Sequence, residues 1–186
     1  LIANNLKKKK GKVIVLTGDG ELQEGQFWES LINIPKNISK NLIIIIDSNK
    51  YQSDLSIEDT SSLGNLKNKL ESFNIKTFTC DGNNFDDIKK TFNKIKYINA
   101  PTAIIANTIK GRGVSFMESK PLIKNMYYNY HSGSLKYEEY INAKNELIKN
   151  FYKIDKDLPV LRLTKKIKEI RNLVDNHQGF ISEYSK

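Results

Sequence analysis

The amino-acid sequence predicts an open α/β sheet, mostly parallel, with helices on both of its faces. The first observation is a set of four short, nearly continuous apolar runs, the pattern of strands covered on both faces of a parallel sheet. The second is that amphipathic helical stretches separate these runs. Hydrophobic residues make up 39% of the chain and charged residues 27%, which is ordinary for a globular domain.

The four predicted strands occur at regular intervals and are predicted to be buried. They span residues 13–16, 42–46, 75–79 and 102–106. Parallel strands are joined by crossover connections, which are right-handed in nearly all proteins. We therefore expect a helix after each strand, and strand ends that gather at one edge of the sheet.

Helical periodicity marks the segments between the strands. The first helix should end or kink at Pro35, because proline cannot continue a helix. A fourth helix is predicted over residues 136–150. The apolar positions that define the first three helices are Trp28, Leu31 and Ile32, then Leu66, Leu70 and Phe73, then Phe85, Ile88, Phe92 and Ile95.

The rest of the chain predicts a loop and a tail. Residues 107–136 carry three glycines and a tyrosine cluster, as expected of a long ordered loop, and such loops are often functional. Residues 1–150 are predicted to form one domain. Residues 151–186, with Pro159, a helical stretch near 163–174 and an exposed His177, are predicted to be a helical, linker-like tail. The chain begins without methionine, on what reads as the end of a helix, and we expect it to be a fragment.

Composition narrows the classes of function. The formal net charge is +9, but the lysines are scattered, and only residues 7–10 form a run. No basic and aromatic residues interleave as in a nucleic-acid surface, so nucleic acid is the weaker interpretation and no such partner is predicted. No apolar run approaches the roughly 20 residues that span a bilayer. The single cysteine, Cys80, excludes an internal disulfide and favours a reducing cytoplasm.

Two loops at the ends of predicted strands carry candidate ligands for a metal. Gly18-Asp19-Gly20 follows the first strand, and Asn49 follows the second, 30 residues after Asp19. Ligands of open α/β sheets bind at the carboxyl ends of the strands, where such loops meet. A carboxylate and an amide oxygen suit Mg²⁺ or Ca²⁺, and Mg²⁺ commonly completes its shell with phosphate oxygens. The spacing therefore predicts a metal that holds a diphosphate.

Four segments, in order, resemble the transketolase family of thiamine-diphosphate enzymes. They are GDGELQEGQFWE, NLIIIIDSNKYQSD, IIANTIKGRGVSFME and YHSGSLKYEEY, and the likeness covers residues 1–150. The relatives with the same cofactor, the 2-oxo-acid dehydrogenase E1 subunits and the deoxyxylulose-phosphate synthases, share the aspartate and asparagine but usually lack LQEG. The resemblance therefore favours transketolase. Pro35 departs from the family pattern, in which a helix usually continues.

The resemblance implies a role for six residues. Asp19 and Asn49 match side-chain ligands of Mg²⁺ (or Ca²⁺), Tyr51 matches a ligand through its backbone carbonyl, and Gly20 matches a glycine against the diphosphate of thiamine diphosphate. Glu24 and His131 match catalytic positions: Glu24 a glutamate in a carboxylate network at a subunit interface, His131 a histidine beside the diphosphate and the substrate entrance.

Each of these residues also has a purely structural interpretation. Asp19 could cap the following helix, and Asn49 could form a turn. Glu24 could be a first-turn glutamate that the helix dipole favours, and His131 could be a surface histidine packed among tyrosines.

The resemblance further implies transfer of a two-carbon ketol unit between sugar phosphates. The family's activating glutamate comes from a pyrimidine-binding domain across a dimer interface, so a homodimer or a partner domain or subunit is expected. Histidine segments are expected upstream, residues 179–186 resemble the start of the pyrimidine-binding domain, and the fragment should be inactive alone. The alternatives are a 2-oxo-acid dehydrogenase E1-like enzyme, a specialised-sugar thiamine enzyme, and a non-catalytic assembly subunit of the same fold.

Overall fold

A computed structural model of the chain describes residues 1–9, 11–34, 39–119, 127–154, 166–170 and 172. The chain divides into two compact units, Leu1–Ser134 and Leu135–Lys186. The first unit contains the sheet and every predicted site residue. Among its described residues, the second contains one long helix and a short helical stretch at residues 166–170 and 172, within the tail segment predicted to be helical.

Four parallel strands form the main sheet, and two short strands form an antiparallel hairpin. In chain order the described strands are β1 (Val13–Gly18), β2 (Leu42–Ser48), β3 (Tyr51–Gln52), β4 (Leu55–Ser56), β5 (Lys76–Asp81) and β6 (Thr102–Asn107). The main sheet has the order β1-β2-β6-β5. All four predicted strands are confirmed, and each continues one or two residues further at its carboxyl end. The β3–β4 hairpin was not predicted.

The predicted helices are confirmed at their predicted places. The described helices are α1 (Ile2–Leu6), α2 (Gly25–Ile32), α3 (Ile57–Thr60), α4 (Leu66–Ser72), α5 (Phe85–Ile95) and α6 (Tyr137–Ile154), with 3-10 turns at Glu21–Gln23 and Ser39–Asn41. Side chains begin three of them. Ser56 Oγ accepts a bond from the Asp59 N–H at the start of α3, and asparagines at positions 65 and 84 do the same for α4 and α5.

Both faces of the sheet carry helices, as predicted. We call one the α2 face, where α2 and α4 pack on Leu42, Ile44 and Ile46 of β2. We call the other the α5 face, where α5 packs on Ile43 and on residues of β5 and β6. The alternation follows from the pleat, since successive side chains of a strand point to opposite faces.

The prediction that residues 13–16 are buried was wrong. Ile14, Val15 and Leu16 are 56%, 42% and 72% exposed. The physical reason is position: β1 lies at one edge of the sheet, paired only with β2.

The prediction of a buried strand at 75–79 was wrong in part for the same reason, since Lys76 and Thr79 are exposed on the other edge strand, β5. Two apolar residues assigned to helix faces, Ile32 and Phe85, are also exposed, because each lies at the end of its helix.

The register brings the strand ends together. Gly18 of β1 lies beside Asp47 of β2, and Asp47 lies beside Ala106 of β6. The loops that follow these three strands therefore start from one edge of the sheet. The described parts of the predicted loop at residues 107–136 consist mainly of turns after β6 ends.

Some predicted features lie outside the described residues. They are Pro35, Lys10, Pro159, His177 and the segment 179–186. The end of α2 at Ile32 comes three residues before Pro35. Among the described residues, no helix is both long enough and apolar enough to cross a membrane.

Candidate functional site

Asp19 is the buried centre of the site. It follows β1 directly and is only 2% exposed. Its backbone N–H donates to the Asp47 carbonyl at 3.0 Å, which continues the β1–β2 ladder by one residue. Its Oδ2 accepts the Lys50 backbone N–H at 2.7 Å. Its Oδ1 is buried and has no hydrogen-bond partner within the part of the chain that the structure describes.

This carboxylate is electrostatically costly as it stands. Burial raises the pKa of Asp19, and the nearby Asp47 charge acts in the same direction. The Lys50 N–H, the Lys50 charge and the Gly20 N–H oppose this rise in pKa without cancelling it. A buried carboxylate oxygen without a partner is uncommon because the desolvation cost is large. A cation at Oδ1 would remove that cost.

Asn49 sits in the neighbouring loop and is held at both ends of its amide. Its Oδ1 accepts the Tyr51 N–H at 2.9 Å, and its Nδ2 donates to Asp47 Oδ2 at 3.2 Å. The other Asp47 oxygen accepts a bond from the Thr108 hydroxyl. Asp47 thus links the loops after β2 and β6. Since an amide oxygen has two lone pairs, Asn49 Oδ1 keeps one for a metal.

Tyr51 and Gly20 meet at the β3–β4 hairpin. Tyr51 is buried and begins β3. Gln52 follows Tyr51 in β3. A Cβ added at Gly20 would lie 3.2 Å from the Gln52 side chain. The glycine therefore permits the close approach of the Asp19 turn to the hairpin. This approach brings Asp19, Gly20, Asn49 and Tyr51 into one region, as predicted.

His131 reaches this region through Lys110. The Lys110 ammonium donates to the Ser53 carbonyl at 2.8 Å and lies 3.2 Å from His131 Nδ1. It also lies 5.1 Å from the ring centre of Tyr128 and 6.0 Å from that of Tyr51. With Lys110 protonated, Nδ1 of His131 is the acceptor, and its Nε2 carries the hydrogen. His131 is exposed, so this donor is open to a ligand.

Lys110 lies beside the candidate residues, and sequence reasoning missed it. Burial lowers the pKa of Lys110, and the charges of Asp54, Asp19 and Asp47 oppose that effect. The following Gly111 has a φ of +78°, and a Cβ there would collide with the Met117 carbonyl. The signal in the sequence was a lysine next to a glycine three residues after β6.

Glu21 is a second residue that the sequence did not reveal. Its Oε2 accepts the Gly18 N–H at 2.7 Å and the Thr17 hydroxyl at 2.9 Å. These two bonds lower the pKa of Glu21. The carboxylate thus fastens the chain just before Asp19, a role that depends on the turn and not on any residue pattern.

Glu24 does not join the other candidates. It lies between the 3-10 turn and α2 as the N-cap residue, yet its side chain makes no capping bond. It is exposed, and no ion pair or hydrogen bond of its carboxylate occurs within the described part of the chain. The interpretation of Glu24 as a first-turn glutamate was wrong, because the residue precedes the first turn of α2, while the interface interpretation remains a prediction.

The donor set fits a hard divalent cation. Asp19 Oδ1, Asn49 Oδ1 and the Tyr51 carbonyl are all oxygens, the ligands that Mg²⁺ and Ca²⁺ prefer. No group of three or more histidine, cysteine, aspartate and glutamate side chains that could hold a metal occurs among the described residues. Few charged protein ligands are typical of Mg²⁺ sites that also hold a phosphate.

Comparison with known proteins gives one family model and a set of relatives. The model described as 1-deoxy-D-xylulose-5-phosphate synthase matches residues 1–135. An apulose-4-phosphate transketolase subunit from Actinobacillus succinogenes is 39% identical over 120 residues, 64% of this chain and 44% of the relative. The protein of the same name from Phocaeicola vulgatus is 31% identical over 157 residues, 84% of this chain and 53% of the relative. The chain thus spans about half the length of these curated relatives.

The fold is shared with solved structures. The crystal structure of transketolase from Campylobacter jejuni superimposes with a TM-score of 0.66 and 26% sequence identity, covering 78% of this chain and 22% of that one.

Proposed function

The chain belongs to the transketolase family of thiamine-diphosphate enzymes, as the 1-deoxy-D-xylulose-5-phosphate synthase model over residues 1–135 and the transketolase relatives together show, and we propose that it supplies the metal–diphosphate half of a thiamine-diphosphate site. The complete enzyme would transfer a two-carbon ketol unit from a ketose phosphate to an aldose. The buried, unpaired Oδ1 of Asp19 carries the proposal. A cation at this oxygen would add to the partial compensation that the Lys50 and Gly20 N–H groups and the Lys50 charge already give Asp19.

Family members use thiamine diphosphate, which supplies the carbanion chemistry of the transfer when it is bound. The protein binds and orients it. Asp19, Asn49 and the Tyr51 carbonyl would hold Mg²⁺ (or Ca²⁺) at the carboxyl ends of β1 and β2, and Gly20 would let the diphosphate approach the backbone. Lys110 and the Nε2–H of His131, which lie together, would hold further oxygens of the diphosphate or a hydroxyl of the substrate.

Binding measurements test this half-site directly. Titration calorimetry of the chain with thiamine diphosphate, and with inorganic pyrophosphate as a smaller probe, is run with MgCl₂ and with EDTA. We expect binding only with the metal. Asp19→Ala should weaken it more than Asn49→Ala, because a charged ligand offsets cation desolvation better than a neutral one. Asp86→Ala, at an exposed carboxylate of α5, is the control. Equal affinity with and without EDTA would refute the proposal.

Glu24 belongs to the proposed assembly. Its exposed carboxylate is available to a homodimer partner or to a pyrimidine-binding partner chain. The Actinobacillus and Phocaeicola relatives are each named as one subunit of a transketolase, which supports an enzyme of two different subunits. In the complete enzyme, Glu24→Gln should slow turnover or change the cooperativity of cofactor binding. Glu29→Gln, at an exposed position on α2, should change neither. Wild-type behaviour of both variants would return Glu24 to a role at the helix start.

The description of the family model favours a second candidate reaction. A 1-deoxy sugar carries a methyl group where a ketol product carries a hydroxymethyl group. Its two-carbon unit must therefore come from a 2-oxo acid, with loss of carbon dioxide. Release of labelled carbon dioxide from carboxyl-labelled pyruvate by the complete enzyme would favour this reaction. Transfer from a ketose phosphate without such release would favour the ketol reaction.

The names of the relatives support a specialised sugar as the substrate. The Actinobacillus and Phocaeicola proteins are named for apulose 4-phosphate, and a third relative, from a Clostridium strain, for 6-deoxy-6-sulfo-D-fructose. A panel of ketose donors of these two kinds, beside an ordinary ketose phosphate, would distinguish them by relative kcat/KM.

A further inference from the structure

Several groups surround the ammonium of Lys110, whose side chain is half-buried. The ammonium donates to the Ser53 carbonyl, in the turn of the β3–β4 hairpin, at 2.8 Å and lies 3.2 Å from His131 Nδ1. The ring centres of Tyr128 and Tyr51 lie 5.1 and 6.0 Å from it. A long, flexible side chain is therefore held in one place by contacts on several sides.

The hydrogen bonds of this ammonium leave one donor for a ligand. A lysine ammonium has three N–H donors and no acceptor. One donates to the Ser53 carbonyl, and a second to His131 when Nδ1 of that ring is the acceptor. Among the residues that the structure describes, the ammonium makes no third hydrogen bond. The remaining N–H can therefore donate to an oxygen from outside the chain.

The groups that touch Lys110 hold its charge without neutralising it. Within the described ranges, no carboxylate forms an ion pair with Lys110. Its contacts are two aromatic rings, a carbonyl and an imidazole. An aromatic ring face attracts a cation through its quadrupole and adds no negative charge. A carboxylate in the same place would cancel the charge of Lys110 and repel an anionic ligand, so the ring contacts keep the cation available to an anion.

Tyr128 connects the two structures that hold Lys110, the hairpin and the turn after β6. Its side chain is only 7% exposed, and its ring centre lies 5.6 Å from that of Tyr51. Its backbone N–H donates to the Asp54 carbonyl, in the hairpin turn, at 2.7 Å. Its hydroxyl lies against Gly111, where an added Cβ would be 2.5 Å from the hydroxyl oxygen. Tyr128 thus contacts the hairpin through its backbone and the turn that carries Lys110 through its side chain.

We propose that Tyr128 is a positioning residue of the diphosphate site. Its ring, packed on Tyr51, holds the Lys110 ammonium where the remaining N–H reaches an oxygen of the diphosphate. Fixing a lysine side chain costs rotamer entropy, and here folding meets that cost before the ligand binds. Without the ring, ligand binding itself would have to order Lys110, and the affinity would fall. This inference deepens the proposed function and rests on it, because it concerns the same half-site.

The position of Lys110 is measured first, without any ligand. In NMR spectra of the chain labelled with ¹³C at lysine Cε, the Lys110 signal is assigned by its loss in Lys110→Met. Its ε-methylene protons should lie upfield of those of most lysines, because the ring currents of the two tyrosines act on them. Tyr128→Leu should move the signal into the common lysine range, and Tyr128→Phe, which keeps the ring, should not. Tyr97→Leu removes the ring of a similar contact with Lys96 and should leave the Lys110 signal unchanged.

Titration calorimetry with pyrophosphate and MgCl₂ then tests what the positioning does. Tyr128→Leu should weaken binding about tenfold, and Tyr128→Phe should restore most of the affinity. In a chain that already carries Lys110→Met, Tyr128→Leu should weaken binding no further, because the ring then has no ammonium to hold. Tyr97→Leu should leave the affinity unchanged. Circular dichroism shows which variants fold, and Tyr128→Met, whose flexible side chain fits irregular spaces, takes the place of Tyr128→Leu if that variant does not fold.

The outcomes separate this inference from the proposed function. A wild-type Lys110 signal in the common lysine range would overturn the inference. So would wild-type affinity in Tyr128→Leu, or an equal loss of affinity with and without Lys110, which would mean that Tyr128 only stabilises the loop. In these cases the wild-type chain still binds pyrophosphate with magnesium, and the proposed function stands. A wild-type chain that shows the upfield signal and binds no pyrophosphate would instead refute the proposed function, and this inference with it.

Discussion

Asp19 shows how one residue can be unfavourable for folding and favourable for binding. Its charge is buried at the end of β1, with one oxygen bonded to the Lys50 N–H and the other unpaired among the described residues. Natural proteins tolerate such costs at functional sites, where a ligand compensates for them. The neighbouring Glu21 and Asp47 hold the turn in this conformation through bonds to the backbone.

The first prediction at this scale concerns the metal-free chain. Asp19→Asn keeps an oxygen for the Lys50 N–H and removes the buried charge. We expect the variant to be more stable than the wild type at pH 7 without metal, by about 1 kcal/mol, or roughly 2–4 °C in melting temperature for a chain of this size. MgCl₂ should stabilise the wild type and not the variant.

Scanning calorimetry with and without MgCl₂ measures both effects. Asp86→Asn, which removes an exposed charge, should leave the response to magnesium intact. A less stable Asp19→Asn variant that still responds to magnesium would contradict the prediction and would leave Asp19 a structural role through its bond from the Lys50 N–H. The helix-capping interpretation of Asp19 was wrong, since Gly20 and Glu24 are the N-cap residues that follow.

The second prediction separates Lys110 from His131. Lys110→Met removes a cation that faces the site and should weaken diphosphate binding by about 1.5–3 kcal/mol, the value of a hydrogen bond to a charged group. His131→Ala should lower kcat in the complete enzyme and change cofactor affinity less, if the histidine acts on the transition state. Lys96→Met breaks a similar ammonium–ring contact at the far end of α5 and is the control.

Calorimetry and steady-state kinetics on the same three variants give the answer. A fall in cofactor affinity for His131→Ala as large as that for Lys110→Met would make the histidine a diphosphate ligand. Wild-type affinity and kcat would remove His131 from the site and leave it as a surface residue.

Among the elements, strands β1 and β2 position the first residues of the candidate site, and the hairpin β3–β4 and the loop after β6 add the others. β1 and β2 place Asp19 and Asn49 side by side, because parallel strands end at one edge. The hairpin then supplies Tyr51 and the Ser53 carbonyl, and the loop after β6 supplies Lys110. The site is therefore shared among three connections, each anchored on a strand of the same sheet.

The third prediction belongs to helix α5. Asn84 Oδ1 accepts the N–H groups of Asp86 and Asp87 at 3.0 and 3.1 Å. Asn84→Ala should lower the free energy of unfolding by about 1 kcal/mol, since it leaves these donors without a cap. Asn93→Ala, at an exposed position inside the same helix, should cost nothing or stabilise slightly, because alanine favours a helix interior. Urea unfolding of both variants compares the two, and equal losses would assign the effect to general disturbance of α5.

At the scale of the whole molecule, the sheet joins two apolar layers of unequal completeness. The layer on the α2 face includes Leu22, Ile46 and Leu70, each fully buried. Leu22 and Ile46 lie close in sequence to Asp19 and Asn49, so this layer packs beside the candidate site. The layer on the α5 face is well covered near β5 and β6 and open near β1. Cys80 lies in the covered part of the second layer and reports on its integrity.

The fourth prediction uses that thiol. Burial raises the pKa of Cys80, and the carboxylates of Asp87 and Asp81 raise it further. Because the thiolate is the reactive form, iodoacetamide at pH 8 should label the folded chain at least roughly tenfold more slowly than the unfolded chain. The rate should increase as pH rises, since the thiolate fraction grows.

Mass spectrometry of timed samples measures the labelling. A Thr79→Cys substitution combined with Cys80→Ser moves the thiol to an exposed position one residue away and should restore rapid labelling. Equal rates for Cys80 in the folded and unfolded chains would show that the α5 layer opens readily in solution.

The sequence by itself determined the order and type of the main elements and the two residues at the centre of the site. Strand and helix periods are local properties, so the four strands and the helices α2, α4, α5 and α6 were all predicted. Asp19 and Asn49 were predictable because their place after consecutive strands of an α/β pattern sets where they meet. The resemblance to a family added Tyr51, Gly20, Glu24 and His131, which spacing alone does not select.

Only the tertiary structure decided the order β1-β2-β6-β5, and with it the exposure of Ile14 and Leu16 at the edge. An apolar run does not state which strand will lie beside it, because pairing depends on long-range contacts. The same is true of the contact between Lys110 and His131, 21 residues apart, and of the bond from the Lys50 N–H to one oxygen of Asp19. These contacts join loops that are far apart in the sequence, so no local sequence pattern predicts them.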